Sequence, residues 1–305
     1  MQQHGGIIFI LFPLVALGGP LLLGLAGLWL GRTKGAGAAA PAPWDWRLTA
    51  MSAILYALAF NLVFFIQELF LVLPKAMVPG LRPTLFHNNH DWQGDDPIAA
   101  LFQGTGALAI FLTGLGFALL LRRTRSEGSI ALRLFLIWMA YHGLFQSLPQ
   151  VAVGAMSPGN DVGMAMNYLA MSATATTIAA ILALALMVAA GLWLTRPLLG
   201  LATESAIAGA GRRTSFIFRV ATLPAVIAIP VIIAFRVPRE VAEVVAPPIA
   251  VTIVGIAWIQ ANAWRVTNAK PGLFSAARPV LYPLAALLIL LLIFQLILRP
   301  GIAFY

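Results

Sequence analysis

The chain has 305 residues, 61% of them apolar and only 10% charged, with a formal net charge of +9 and no cysteine; its mean hydropathy is +0.92. An ordinary soluble domain is near half apolar and about a quarter charged, so this composition belongs to an integral membrane protein. The missing cysteine excludes disulfides, zinc–cysteine sites and thiol chemistry, and the positive charge reads as loop Lys and Arg that set topology rather than as a nucleic-acid surface.

A bilayer core near 30 Å needs roughly 20 apolar residues per helix. Eight stretches qualify, over residues 7–30, 49–73, 98–121, 131–154, 165–195, 215–235, 241–263 and 280–298. The predicted fold class is therefore all-α, a polytopic transmembrane helix bundle that forms a single integral membrane domain over residues 1–305. The first run has only His4 as a basic candidate before it and is longer than the apolar core of a signal peptide, so it reads as a retained span. "GGP" at Gly18–Pro20 loosens its middle. The fifth run is long enough to be tilted or to extend past the interface. Pro224, Pro230, Pro247 and Pro248 fall inside spans six and seven, where each removes a helical N–H and frees a carbonyl. The connectors carry turn chemistry: "GAGAAAPAP" at 35–43, "SPGND" at 157–161 and "AKPG" at 269–272.

Loops after spans one, three, five and seven, with their flanks, hold 14 of the 19 Lys and Arg residues, among them Lys34, Arg122, Arg125, Arg212 and Arg278. The positive-inside rule makes those loops cytoplasmic and puts both termini outside. The expected location is a cell inner membrane, with "LFHNNHDWQGDD" at 85–96 on the periplasmic or outer side.

Ionisable and amide side chains inside a bilayer are costly and face the bundle interior or a wet cavity. Span two carries Asn61, Gln67 and Glu68, span three Gln103, span four His142, Gln146 and Gln150 at steps of four, and span five Asn167 and several Ser and Thr. The pattern predicts a polar cleft among spans two to five, opening outward, with the histidine loop at its mouth. In that cleft Glu68 and His142 are the candidate catalytic groups. His87 and His90, three apart, would share one side of a helical turn; with His142, Glu68 and the nearby Asp91 they make a candidate metal set for zinc, iron or copper. The competing reading is that Asn88, Asn89 and Asp91 are turn formers, Trp92 is an interface residue and His142 is a hydrogen-bonded core group. "QELFL" at 67–71 puts Glu68 where the zinc-protease pattern H-E-x-x-H has its general base, but Gln67 and Leu71 replace both ligands and the motif fails. "GTGALAIFLTGLG" at 104–116 is a small-residue packing face rather than a nucleotide loop.

Three functions fit these residues. One is a membrane enzyme, metal-dependent or acid/base, acting on a lipid or a membrane-delivered substrate. Another is a non-catalytic subunit or assembly factor, whose partners would be membrane lipids and other membrane protein subunits. The third is a transporter or channel, against which the lack of inverted repeats counts.

Overall fold

The computed structural model describes residues 5–33, 43–124, 127–274 and 280–305. In chain order its long helices and one short one are α1 Gly6–Leu30, α2 Trp46–Ala76, α3 Ile98–Arg123, α4 Ile130–Met156, α5 Asp161–Tyr168, α6 Ala173–Leu199, α7 Ala210–Arg236, α8 Val241–Arg265 and α9 Leu281–Leu298. Among the described residues seven of these, all but α4 and α5, are long and apolar enough to cross a membrane, against the eight expected. The difference lies in α4. It has 27 residues, but Tyr141, His142, Gln146 and Gln150 lower its hydropathy, and every residue from Leu136 to Leu148 is buried. A helix covered all round by protein can carry polar groups that a lipid-facing one cannot.

The fifth expected span is also corrected. It does not begin at 165 as one helix but is broken into α5 and α6. Asn160 caps α5 through its side chain to the Gly163 N–H (2.8 Å), and Ser172 caps α6 through the Ala175 N–H (3.2 Å). Two N-caps 12 residues apart by number start two helices. The linker at 35–43, apart from Pro43, and the basic residues Lys34, Arg125 and Arg278 lie outside the described residues.

Helix packing follows small residues and prolines. A Cβ on Gly114 of α3 would lie 2.8 Å from the Gly143 carbonyl carbon of α4, so the two backbones touch where both lack side chains. Proline replaces the usual i+4 donor of three carbonyls, and in each case another group donates instead: Ser52 Oγ to Val220 O (2.6 Å, Pro224), Thr105 Oγ1 to Phe70 O (2.6 Å, Pro74) and an Arg236 guanidinium N–H to Glu243 O (3.0 Å, Pro247). The freed carbonyls thereby tie α2 to α7, α3 to α2 and α7 to α8. The expected loosening of the first span appears as a π-helical turn at Leu14–Gly18.

Between α2 and α3 the chain forms a hairpin rather than a loop. β1 (Arg82–Leu85) pairs antiparallel with β2 (His90–Gln93), and β3 (Ile302–Ala303) adds to the other side of β1. The C-terminus thus sits at the hairpin end of the bundle. At the far end the connectors after α3, α6 and α8 meet: Gly128 pairs with Phe274, and the Gly272 N–H donates to Gly200 O at 2.9 Å.

Candidate functional site

Strand alternation decides which hairpin residues face the bundle. Along β2, His90 and Trp92 turn inward while Asp91 and Gln93 are exposed. His90 meets two helices at once. Its Nδ1 lies 2.8 Å from Glu68 Oε2 on α2, and its Nε2 lies 3.0 Å from Gln103 Oε1 on α3. Gln103 reaches this point because Gly106, one turn further on, lets α3 close on α2; a Cβ there would stand 2.7 Å from Leu71 Cγ and 2.9 Å from Gln67 O.

Lys75 completes the cluster from the last turn of α2, seven residues from Glu68 and so on the same face. It is fully buried. Its ammonium donates to Leu71 O (2.8 Å) and Gln103 Oε1 (3.3 Å) and stands 4.6 Å from the centre of the Trp92 ring. That ring lies nearly parallel to the His90 imidazole, 5.9 Å away. These contacts fix the hydrogens. Lysine can only donate, so Gln103 turns its oxygen inward, and His90 Nε2 must then carry hydrogen to bond it. One proton remains for the 2.8 Å Nδ1–Oε2 contact, held by nitrogen as an imidazolium–carboxylate pair or by oxygen as imidazole and carboxylic acid.

Asp161, at the start of α5, shares the field of this cluster. Burial, then the negative charge of Glu68, holds its carboxyl above the usual carboxylate range, opposed by His90 and Lys75. Asp161 also lines a cleft of about 480 Å³ that runs among α1, α2, α4 and α8. One end is polar, with Gln67, Gln146, Gln150, Asn160 and Asp161; the walls beyond are apolar, with Phe60, Phe64, Phe145 and Val254 among them. Gln150 donates to Gln67 Oε1 (2.9 Å) and Gln146 O (2.7 Å), and Gln146 to Phe60 O (3.2 Å). The outward polar cleft expected among spans two to five is thus displaced: spans one and seven line it in place of spans three and five.

Of the candidate catalytic and metal-binding residues, the structure joins Glu68 and His90, with Gln103 beside them, and separates His87, Asp91 and His142. His87 does not share a side with His90, because the segment is a strand turn and not a helical one; its Nε2 lies 3.1 Å from Val237 O. Burial holds His87 below the usual histidine range, and the charges of Arg299, Arg239 and Arg236 add to that. Asp91 faces outward and caps the Trp92 N–H (2.8 Å). His142 is enclosed by Tyr56, Tyr141 and Phe60, ring centroids 4.3, 5.0 and 5.3 Å away. Tyr56 is twelve residues from Glu68, roughly 18 Å along α2 at 1.5 Å per residue, so His142 and Glu68 are not in one cleft. Among the described residues no group of three or more His, Asp or Glu comes together to hold a metal ion, and the expected set of His87, His90, His142, Glu68 and Asp91 does not assemble. Lys75 and Asp161 were missed in the sequence as site groups, the second standing there only as part of the turn at 157–161. The i, i+7 spacing of Glu68 and Lys75 was the available signal.

Over the hairpin tip lies a wider, open hollow of about 750 Å³ that mixes both charge signs, with His87, Asp91, Arg239, Glu240 and Arg299 on its walls. No family model, curated protein or solved structure matches the chain.

Proposed function

We propose that this protein is a membrane enzyme that performs acid/base chemistry on a lipid or membrane-delivered substrate, from the outer half of a cell inner membrane. Asp161 is the group at the substrate, and the Glu68–His90 pair, with Gln103 and Lys75, sets its protonation. One observation carries the reading: Asp161 lines an amphipathic cleft and at the same time lies in the field of a buried imidazole–carboxylate pair whose nitrogen and oxygen are 2.8 Å apart. A carboxyl whose proton is held above the usual carboxylate range is better suited to donate it and take it back than an ordinary one. The segregation of basic loop residues supports an arrangement in which the hairpin end and both termini face outward.

The test compares the lipid composition of membranes that contain the wild-type chain, Asp161→Asn, Glu68→Gln or His90→Gln. Asp161→Asn should abolish any lipid change that the wild type produces. The other two should shift its pH dependence in opposite directions. Glu68 raises the Asp161 carboxyl, so Glu68→Gln should move the profile to lower pH; His90 lowers it, so His90→Gln should move it to higher pH. Identical lipid composition in all four, with folded protein in each membrane, overturns the enzyme reading. A copurifying protein lost on the same substitutions would instead favour a subunit.

A further inference from the structure

Two features of the cleft define what could occupy it. The first is its unspent hydrogen-bonding capacity. Gln67 and Gln146 are at most 9% exposed, yet their side-chain hydrogen bonds use only Gln67 Oε1 and Gln146 Nε2. Those bonds leave Gln67 Nε2 and Gln146 Oε1 free to meet a ligand, and Asn160 Nδ2 is buried with no partner among the described residues. The polar end therefore offers donors and acceptors together, and Asn160 Nδ2 carries a desolvation cost that a ligand would relieve. The second is the route in. Val153 and Ala250 line the cleft and are exposed on the flank of the bundle, so it opens sideways toward acyl chains.

Charge narrows the head group. An anionic head would sit beside Asp161 in the field of Glu68; Lys75 is already engaged with Leu71 O, Gln103 and the Trp92 face, and His90 with Glu68 and Gln103. A cationic head would be drawn in by an ionised Asp161, which burial and then Glu68 oppose and His90 and Lys75 favour, and it would meet the positive charge of Lys75 in the same field. Depth sets the tail: Phe60 is seven residues from Gln67, roughly 10 Å further into the membrane, and the walls between are aromatic and aliphatic. The volume falls in the range of small-molecule sites.

From this geometry we infer that the cleft binds a single-chain amphiphile with an uncharged head that both donates and accepts hydrogen bonds, head at Gln67, Gln146, Gln150 and Asp161, tail along Phe60, Phe64 and Val254. The inference rests on the same cleft as the proposed chemistry and names its substrate class.

The probe is a long-chain alcohol with a diazirine near its terminus, added to the full-length protein in vesicles and mapped by peptide mass spectrometry after illumination. The expected result is labelling of α2, α4 or α8 at the cleft walls. Ala250→Trp and Val153→Trp, both at exposed positions that a large side chain can enter without repacking the core, should each cut it roughly tenfold, about what two buried methylenes contribute. Gln150→Leu should weaken it as well. The matching phosphate monoester and alkylamine probes should label the cleft less than the alcohol. Labelling that ignores both tryptophans, or a preference for either charged head, overturns the inference. Cleft labelling that persists in Glu68→Gln while no lipid composition changes would leave the ligand class standing and remove the acid/base reading. Absent labelling together with an Asp161-dependent lipid change would remove the ligand class alone.

Discussion

Lys75 is a buried ammonium whose three donors meet a carbonyl, an amide oxygen and an indole face, and that arrangement fixes which atom of Gln103 points at His90. Replacing it with methionine, similar in length and unable to donate, should free the Gln103 amide to turn over. Nitrogen NMR of labelled histidine should then show His90 losing its single Nε2–H form; an unchanged spectrum would contradict the assignment of its hydrogens. The Glu68–His90 contact should also behave as one unit. Truncating either partner to Ala in a buried pair costs about 3–5 kcal/mol, because the other is left uncompensated. The double mutant should be little worse than either single one in reversible unfolding, whereas additive losses would mean two independent contacts. His87 gives a pH prediction of opposite character. Its folded value is lowered, so the stability it contributes is complete above its ordinary value of 6.5 and is lost as pH falls through the lowered value. His87→Gln should flatten the acid side of a melting-temperature profile, and a profile of unchanged slope would show that another group governs it. At this scale the sequence exposed Glu68 and His90, since ionisable groups stand out in an apolar chain. It misplaced His142, because burial among aromatic rings leaves no mark in a residue's own helical spacing.

Between residues and molecule, the elements were legible in proportion to their length. Runs of twenty or more apolar residues declare themselves, and the small-residue stripe at 104–116 packs as expected at Gly104, Gly106 and Gly114 but not at Gly116, which has open space beside it. The hairpin was not legible. Its strands are four residues each, with Pro83 inside the first and Gly94 and Pro97 after the second, and what holds them is the seating of His90 and Trp92 on α2 and α3, a tertiary contact with no local pattern. The break at 169–172 was hidden for the same reason, since Ser172 reads as one more polar residue inside a span until its cap is seen. The stripe supplies a prediction. Gly106→Ala puts a Cβ against Gln67 O, a backbone atom that cannot turn aside, so α3 must retreat; overpacking of this kind costs about 1–3 kcal/mol. The same retreat carries Gln103 away from Lys75 and His90. Gly116→Ala should be close to neutral on the same unfolding assay. Equal behaviour of the two variants would mean that α3 does not bear on α2 at Gly106.

At the scale of the molecule, the pairing of β3 with the hairpin and the meeting of the connectors after α3, α6 and α8 put two groups of connectors at opposite ends of helices 18 or more residues long. The Lys and Arg count assigns sides to those ends: the connector between α6 and α7 belongs to the basic set and should be cytoplasmic, and the hairpin should face outward. The orientation matters for the proposed chemistry, because it decides whether Asp161 would draw its proton from the outer or the cytoplasmic compartment. The chain makes the measurement simple, since it has no cysteine of its own to remove. Gln93 at the end of β2 and Glu204 beyond α6 are both exposed, so a cysteine at either can be reached without unfolding. In intact cells a membrane-impermeant maleimide should modify Gln93→Cys and spare Glu204→Cys until the membrane is permeabilised. The reverse pattern would turn the protein over and hand the proton supply of Asp161 to the cytoplasm. Labelling of both positions in sealed cells would mean that the two ends are not separated by a bilayer, and the bundle would have to be read as something other than a spanning one.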